Sequence, residues 1–586
     1  MVSAGPLLAG DSPEAVAIDV GDETWTFRRL SAAVDTLIRG LHDAGIRSGD
    51  LVAVLVTAGP EAVALMLAML QRGIVFTWLD PEVPAARHSA VIQDCAPTCL
   101  IADEDNAKGE TVSRARDRGA CVVVMTGLLF SVSGPLSPRS TPLPAGTACV
   151  LYTSGSLGRP KGILQSARNI VQFVEWFAGT FAIGPGARVL RWASFAYDAV
   201  FAEVLAAPAA GATVVLPPYR RSDPAATVAV LDRFAVTHLQ CVPSFARELL
   251  GLVRARGTAP GGLRTVLLSG EVLYPDVVRS ARQVLPDVSL VNLYGPTETI
   301  LATWHPVAAE DARWERIPVG RAIPGRTVTV VGEDGQPCPP GQVGEIVIAG
   351  NHLGLGYLSD PETAFVRRAD GTTEFHTGDS GLLRSDGALE FVGRLDDQVK
   401  VRGNRVSPAD VEATMLDDPA VLAAAVAAEV VDGETALVAF AVAPGASPAA
   451  LRRRLAARLP SFMVPREVVL VPQLPRLVSG KVDRQALGRI GGRPRDGGPT
   501  PPPSEPAGVL AAAWSSVLGR PEVAPDDDFF ELGGDSLSAA RVIVRVAEAL
   551  GVELPMEVFL DTPVFREMAR KLAIAVEEHA QPTDSE

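Results

Sequence analysis

Leu30, Val34, Leu37 and Leu41 lie three to four positions apart, so they share one face of a helix expected to start behind a cap at Ser31. Residues 51–56 are an apolar run of strand length, 61–71 return to helical spacing, and 73–78 read as a strand again. Residues 148–151 form another buried strand by pattern. Beyond them Ser166 reads as the cap of a helix with Ile170, Phe173, Val174 and Phe177 on one face. The alternation continues through 212–216, 225–234, 238–242, 244–253, 265–268 and 288–291. Between Thr26 and about Pro306 it therefore predicts parallel sheets covered by helices, with no internal repeat. From Ile317 the runs shorten, and the turns at Glu333-Asp334-Gly335 and Asp386-Gly387 predict a small β-rich unit. A smaller α+β segment follows Asp396 and runs to about Ile490. Residues 491–506, rich in proline and glycine, have no apolar period and read as a semi-stiff solvated linker. Residues 507–578 are helical by pattern. The expected divisions are 1–395, 396–490, the linker 491–506, and 507–580.

Composition narrows the class. With 586 residues the chain is too long for one core. No apolar run approaches the ~20 residues of a membrane span, so no membrane partner is expected. The first residues lack the basic and apolar regions of a signal peptide, and six scattered cysteines suit a reduced, cytoplasmic protein. Cys95 and Cys99 have no second ligand pair, so a buried role is expected rather than zinc. A formal net charge of −15 argues against nucleic acid as a partner.

Between the strand at 148–151 and the helix after Ser166 lies Thr153-Ser154-Gly155-Ser156-Leu157-Gly158-Arg159-Pro160-Lys161-Gly162. Glycines let backbone N–H groups approach an anion, hydroxyls add donors, and Lys161 adds a charge, which suits a triphosphate. An ordinary polar loop has the same composition. It is not a P-loop, because Gly162 rather than Ser or Thr follows Lys161. The run resembles the phosphate loop of adenylate-forming enzymes, the superfamily of acyl-CoA synthetases, luciferases and nonribosomal peptide synthetase adenylation domains. Leu157 stands where that family usually has threonine.

Other motifs carry the same resemblance. Asn292-Leu293-Tyr294-Gly295-Pro296-Thr297-Glu298-Thr299 follows a strand, at the kind of sheet edge where α/β proteins bind ligands. A Tyr-Gly-Pro turn alone needs no ligand. The whole octet is similar to the superfamily's adenine and magnesium motif, which implies that Asn292 and Tyr294 hold adenine, Gly295 and Thr297 line the ATP site, and Glu298 binds Mg2+. Phe375-His376-Thr377-Gly378-Asp379 resembles the family's Tyr-Arg-Thr-Gly-Asp, implying that Asp379 accepts the ribose hydroxyls and Arg394 assists. Asp396 resembles the hinge residue. Residues 398–405, with Lys400, resemble the loop that swings in for a second half-reaction, although a cationic strand by itself reads as a solvated face. Lys481, in Ser479-Gly480-Lys481, is implied as the cation that offsets charge when a carboxylate attacks the α-phosphate. A lone lysine there would otherwise be solvent-exposed. Leu355, Ser380 and the run Ser407-Pro408-Ala409-Asp410 depart from the family pattern, while the catalytic candidates are intact.

Phe195-Ala196-Tyr197-Asp198-Ala199-Val200 resembles the substrate stretch of amino-acid-activating domains, where the aspartate pairs with an α-ammonium group. An apolar-flanked Asp198 equally suits a helix cap. Carrying the family's pocket positions over implies a lining of Tyr197, Ala199, Ala202, Gln240, Leu267, Ser269, Leu293, Leu301 and Ala302. None is charged, so a neutral substrate side chain is expected. The small alanines with Gln240 and Ser269 favour a large side chain bearing one polar group, such as tyrosine. The combination Gln240, Leu267, Ser269, Leu293 also resembles pockets for glycine, serine or cysteine.

Phe529-Phe530-Glu531-Leu532-Gly533-Gly534-Asp535-Ser536-Leu537 looks like a peptidyl carrier protein, where the serine, here Ser536, receives 4'-phosphopantetheine. Three residues of it alone would be an ordinary helix cap. The fold the resemblance implies is an α/β adenylate-forming core of parallel and mixed sheets, a β-rich subdomain, a small mobile α+β subdomain and a four-helix carrier. The implied activity joins an amino acid to AMP from ATP and passes it to the thiol on Ser536. The implied partners are a phosphopantetheinyl transferase and a condensation or tailoring enzyme in trans. An MbtH-like helper is admitted by the family but not demanded. The rival readings are an acyl- or aryl-acid ligase with an appended carrier, and a catalytically silent scaffold.

Overall fold

The computed structural model describes residues 12–137, 141–154, 160–217, 223–359, 364–395, 398–431, 434–475, 482, 487, 505–518, 523–530, 532, 534, 536–552 and 554–580. Two large sheets organise residues 12 to 358. The first has nine strands, in the order Arg321–Ala322, Thr303–Val307, Ser289–Tyr294, Thr265–Leu268, His238–Cys241, Arg188–Leu190, Thr213–Val215, Val16–Asp19, Thr24–Thr26. Its middle is parallel and its edges antiparallel. The second has eight strands, in the order Gly356–Tyr357, Pro160–Ser166, Thr147–Ser154, Val75–Trp78, Leu51–Leu55, Cys99–Asp103, Val122–Thr126, Leu129–Ser133. The largest core joins strands of both sheets to the helices Phe27–Asp43, Pro60–Arg72 and Ala167–Thr180. Residues 62–70 of the helix Pro60–Arg72 are all buried, because it has protein on every side. All six cysteines are free, Cys95 and Cys99 buried among them.

The expected elements are present with small shifts at their ends. Ser166 caps its helix by accepting from Asn169 N at 3.1 Å, and Ile170, Phe173, Val174 and Phe177 are its buried face. The first helix differs. Its cap is Thr26, whose hydroxyl accepts from Arg29 N at 3.2 Å, and Ser31 lies inside the helix. Thr26 ends the strand Thr24–Thr26 and leads straight into the helix, so the chain needs no linker in which Ser31 could act as a cap.

The β-rich unit pairs Arg326–Val331, Gly344–Gly350, Thr373–Leu383 and Phe365–Arg367, with Leu389–Arg394 added to Thr373–Leu383 through the turn at Asp386 and Gly387. Next come the hairpin Val399–Val401/Asn404–Val406, the helices Pro408–Leu416 and Pro448–Ala456, and the three-stranded sheet Ala423–Val431, Glu434–Val442, Glu467–Leu470. Four helices, Pro506–Leu518, Ser536–Leu550, Met556–Asp561 and Phe565–Ala580, enclose Trp514 and Phe529, whose rings meet edge-on at 4.9 Å.

Candidate active site

The position of the site follows from strand register. Gln240, Leu267 and Val291 are partners across three adjacent parallel strands, as are Cys241, Leu268 and Asn292 one residue on. The first two strands end level and the third runs two residues further, to Tyr294, and the loops that leave them (Val242–Ser244, Ser269–Gly270 and Gly295–Glu298) converge on one cavity of ≈730 Å3. Thr153, Asp198, Asp379, Arg394 and Lys400 line the same cavity.

Asp379 and Arg394 are register partners on neighbouring strands, so the sheet itself makes their buried ion pair. The other carboxylate oxygen of Asp379 accepts from the Tyr294 hydroxyl at 2.6 Å, and burial beside that carboxylate pushes the tyrosine pKa well up, so it remains a donor. Asn292 donates to the carbonyls of Ile317 and Pro318 at 3.2 and 2.9 Å, while its buried Oδ1 has no partner among the described residues. Glu298, 3% exposed, accepts from the Tyr357 hydroxyl at 2.8 Å and has Arg405 Nη1 at 3.7 Å. Among the described residues no group of three His, Cys, Asp or Glu gathers to hold a metal. One buried carboxylate suits Mg2+ held mainly by substrate phosphates and water. Lys161 stands over the Tyr357 ring at 3.5 Å.

Asp198 is partly buried in the cavity wall. It accepts from Ala199 N and the Thr297 hydroxyl, but burial and the nearby Glu298 charge push its pKa up to about 7 against the pull of Lys400. Among the described residues no arginine or lysine forms an ion pair with it. Such a carboxyl gains from any cation brought to it. Tyr197, Ala199, Gln240, Ser269 and Leu301 line the cavity with it. Gln240 Nε2 reaches Ser269 Oγ at 3.4 Å and its buried Oε1 has no partner among the described residues, so the wall offers a hydrogen bond to a ligand. Ala202, Leu267, Leu293 and Ala302 do not line the cavity and instead pack in the apolar cores behind it.

The hairpin expected to swing in lies in the cleft. Lys400 Nζ is 5.4 Å from the Tyr294 ring centroid, and burial lowers its pKa while Asp379 raises it. Its tip fits between two strand ends. A Cβ on Gly403 would lie 2.5 Å from Val242 Cγ1, and one on Gly270 would lie 3.0 Å from Gly403 Cα. The solvated-face reading of this cationic strand is thereby set aside. Gly155, Ser156, Gly158, Asp396 and Lys481, and the side chains of Ser154 and Ser536, lie outside the described residues. Ser536 opens the helix Ser536–Leu550. That helix rests on Pro243–Arg256, whose first residues Ser244 and Phe245 line the cavity. Arg541 pairs with Glu248 at 2.9 Å, and Val544 covers Gly251. Arg452 and Arg466 of the small subdomain donate to the carbonyls of Phe530 and Val517.

Several cleft residues escape a motif reading. Arg87 lines the cavity, with Nη2 3.4 Å from Thr153 O, and burial lowers its pKa. Its only sequence signal is its position shortly after the strand Val75–Trp78. Glu203, 1% exposed, accepts from the amides of Trp192 and Ala193. A single carboxylate in the apolar run 199–210 is the signal that could have found it. Ile300 lines the cavity beside Leu301 and carries no chemical signal at all.

Residues 8–358 match the AMP-binding enzyme family, 410–481 the AMP-binding enzyme C-terminal domain, and 508–572 the phosphopantetheine attachment site. The chain is 33% identical over 576 residues to a dimodular nonribosomal peptide synthase of Bacillus subtilis, covering 96% of this chain and 24% of that protein. It is 34% identical over 597 residues to phosphinothricin tripeptide synthetase PhsB of Streptomyces viridochromogenes, covering 96% and 48%. The chain thus spans half or less of the length of these curated relatives. Among solved structures, holo-PA1221, an NRPS protein containing adenylation and PCP domains, superposes with a TM-score of 0.78 at 27% identity, covering 97% of this chain and 96% of that one. The amide bond synthetase McbA of Marinactinospora thermotolerans gives 0.72 at 26%, covering 83% and 99%.

Proposed function

Because this chain belongs to the AMP-binding enzyme family and carries a phosphopantetheine attachment domain behind the adenylating unit, we propose that it activates a neutral α-amino acid as aminoacyl-AMP and loads it on its own carrier. It is an adenylation–carrier module of nonribosomal peptide synthetase type, whose family uses ATP with Mg2+ and carries 4'-phosphopantetheine. The observation that carries the amino-acid reading is Asp198. A partly buried carboxyl in the cavity wall, with its pKa pushed up to about 7 and no arginine or lysine in an ion pair with it among the described residues, is suited to an α-ammonium group. An aryl or fatty acid would leave that carboxyl uncompensated.

In this reading the loop from Thr153 to Lys161 cradles the triphosphate, Asn292 and Tyr294 hold adenine, Asp379 with Arg394 takes the ribose, and Glu298 takes Mg2+. The substrate carboxylate attacks the α-phosphorus, the bond to the bridging oxygen breaks, and pyrophosphate leaves. Positioning and charge supply the rate, with no side-chain nucleophile. Lys481 steadies the attacking carboxylate, while Asp198 holds the other end of the zwitterion. For the transfer step the hairpin bearing Lys400 closes the cleft, with Asp396 as its hinge. When 4'-phosphopantetheine is attached at Ser536 it supplies the thiol that accepts the aminoacyl group. The helix start at Ser536, on a helix seated against the cavity-lining helix, fits that attachment. Its further partners in this reading are a phosphopantetheinyl transferase and a condensing or tailoring enzyme, in keeping with its carrier domain and the relatives' type. The cleft favours a neutral side chain that can hydrogen-bond Gln240 or Ser269.

Pyrophosphate exchange over a panel of amino, aryl and fatty acids tests this. We expect stimulation by neutral amino acids, and at least a hundredfold loss in Lys481→Ala. Stimulation by an aryl or fatty acid alone would contradict the reading.

A further inference from the structure

Behind the cleft wall, outside the cavity, lies a chain of buried polar side chains that the chemistry above does not use. Gln165 and Asn169 are fully buried, on the strand Pro160–Ser166 and the helix Ala167–Thr180. Arg326, 5% exposed, reaches them from the first residue of the strand Arg326–Val331. Gln165 Nε2 donates to Thr297 O at 2.6 Å, and its Oε1 accepts from Asn169 Nδ2 at 2.7 Å. Arg326 Nη2 donates to Asn169 Oδ1 and to Thr299 O, both at 2.9 Å, while Nη1 donates to Gln172 Oε1 at 3.0 Å. No carboxylate pairs with this guanidinium among the described residues, and burial pulls its pKa down to about 10. A buried cation answered only by dipoles is costly, so its benefit must lie in what it holds.

It holds the backbone on either side of Glu298. Gln165 grips the carbonyl of Thr297 and Arg326 that of Thr299. The next residue, Ile300, has φ +63°, a left-handed conformation in which a β-branched side chain is a true outlier. The Thr299 carbonyl and the Ile300 N–H belong to one rigid peptide plane. With the carbonyl bonded to Arg326, that plane cannot turn to relieve Ile300. Ile300 and Leu301 both line the cleft, in the wall that Ala199, Gln240 and Ser269 share.

We propose that Arg326 is a specificity-determining positioning residue: by fixing the Thr299 carbonyl it keeps Ile300 left-handed and so sets the room for the substrate's side chain. The proposal rests on the amino-acid reading above. The ratio of pyrophosphate exchange rates between amino acids tests it, because the amount of folded enzyme cancels in a ratio. Ile300→Gly, which tolerates the backbone conformation and removes the side chain, is expected to shift the preference at least tenfold towards bulkier side chains. Its ATP KM should change by less than about twofold. Arg326→Met should shift the preference in the same direction, and Ile300→Gly/Arg326→Met should shift it no further than Ile300→Gly alone. Should Arg326→Met fail to fold, Arg326→Lys replaces it, since its ammonium lacks the planar fork that reaches Thr299, Asn169 and Gln172 together. An unchanged ranking in the single variants, or fully additive shifts in the double, would overturn the proposal. A parent enzyme that ignores amino acids but exchanges with aryl or fatty acids would instead overturn the reading beneath it.

Discussion

At Asp198 burial and charge pull against each other. Its carboxyl is protonated below about pH 7 in the free enzyme, and only the ionised form can pair with an ammonium. The logarithm of kcat/KM for the amino acid in exchange should therefore rise with pH up to about 7 and level off above it. Asp198→Asn should remove that rise and lower kcat/KM by 100-fold or more, as expected when one partner of a buried charge pair is lost. The same shift acts on stability. A carboxyl whose folded pKa is raised favours the folded state most at pH below its unfolded value near 3.8, and that benefit is lost as pH climbs towards 7. At this scale the sequence disclosed chemistry unevenly. Asp198, Glu298 and Asp379 sit in motifs, whereas Arg87 and Ile300 owe their place in the cleft to strand ends and a backbone angle that no residue pattern displays.

Among elements, the hairpin Val399–Val401/Asn404–Val406 changes meaning most between sequence and structure. Lysine and arginine alternate in it with small and apolar residues, which by composition alone describes a wet surface strand. What brings Lys400 into the cleft is the close approach of Gly403 to Val242 and Gly270, a fit between parts 130 and more residues apart. Gly403→Ala should clash with Val242 in this arrangement, so carrier loading should slow at least tenfold while pyrophosphate exchange changes by less than about threefold. Quenched-flow loading set beside exchange on the same preparation checks both. Equal losses in the two assays would mean that the hairpin serves adenylate formation as well. The sheets and helices of the core were more legible, because strands buried on both faces read as continuous apolar runs and Ser166 stands at its helix start. The first helix was misplaced at its cap for the opposite reason. Thr26 serves strand and helix at once, and a pattern reader expects a break between them.

At the scale of the whole molecule, the carrier touches both the core and the small subdomain. The small subdomain holds it through carbonyls, which any carrier sequence offers, while Glu248 and Arg541 make a contact that depends on charge. That pair is largely buried, with 9% and 14% of the side chains exposed. Glu248→Arg or Arg541→Glu should slow loading about tenfold and leave exchange intact. The double swap should restore most of the loss, measured as loading rate with the fused carrier. The order of adenylating unit, C-terminal domain and carrier was readable from motifs, while the expected linker falls largely outside the described residues. The docking was not readable, because its contacts depend on two folded surfaces meeting. The most direct test of the account is the intact mass of the pantetheinylated protein after incubation with ATP, Mg2+ and a mixture of amino acids. We expect one mass increment equal to a single neutral aminoacyl group, absent from Ser536→Ala and strongly reduced in Asp198→Asn. An increment that matches an aryl or fatty acyl group supplied in the same mixture, or one that persists in Ser536→Ala, would contradict it.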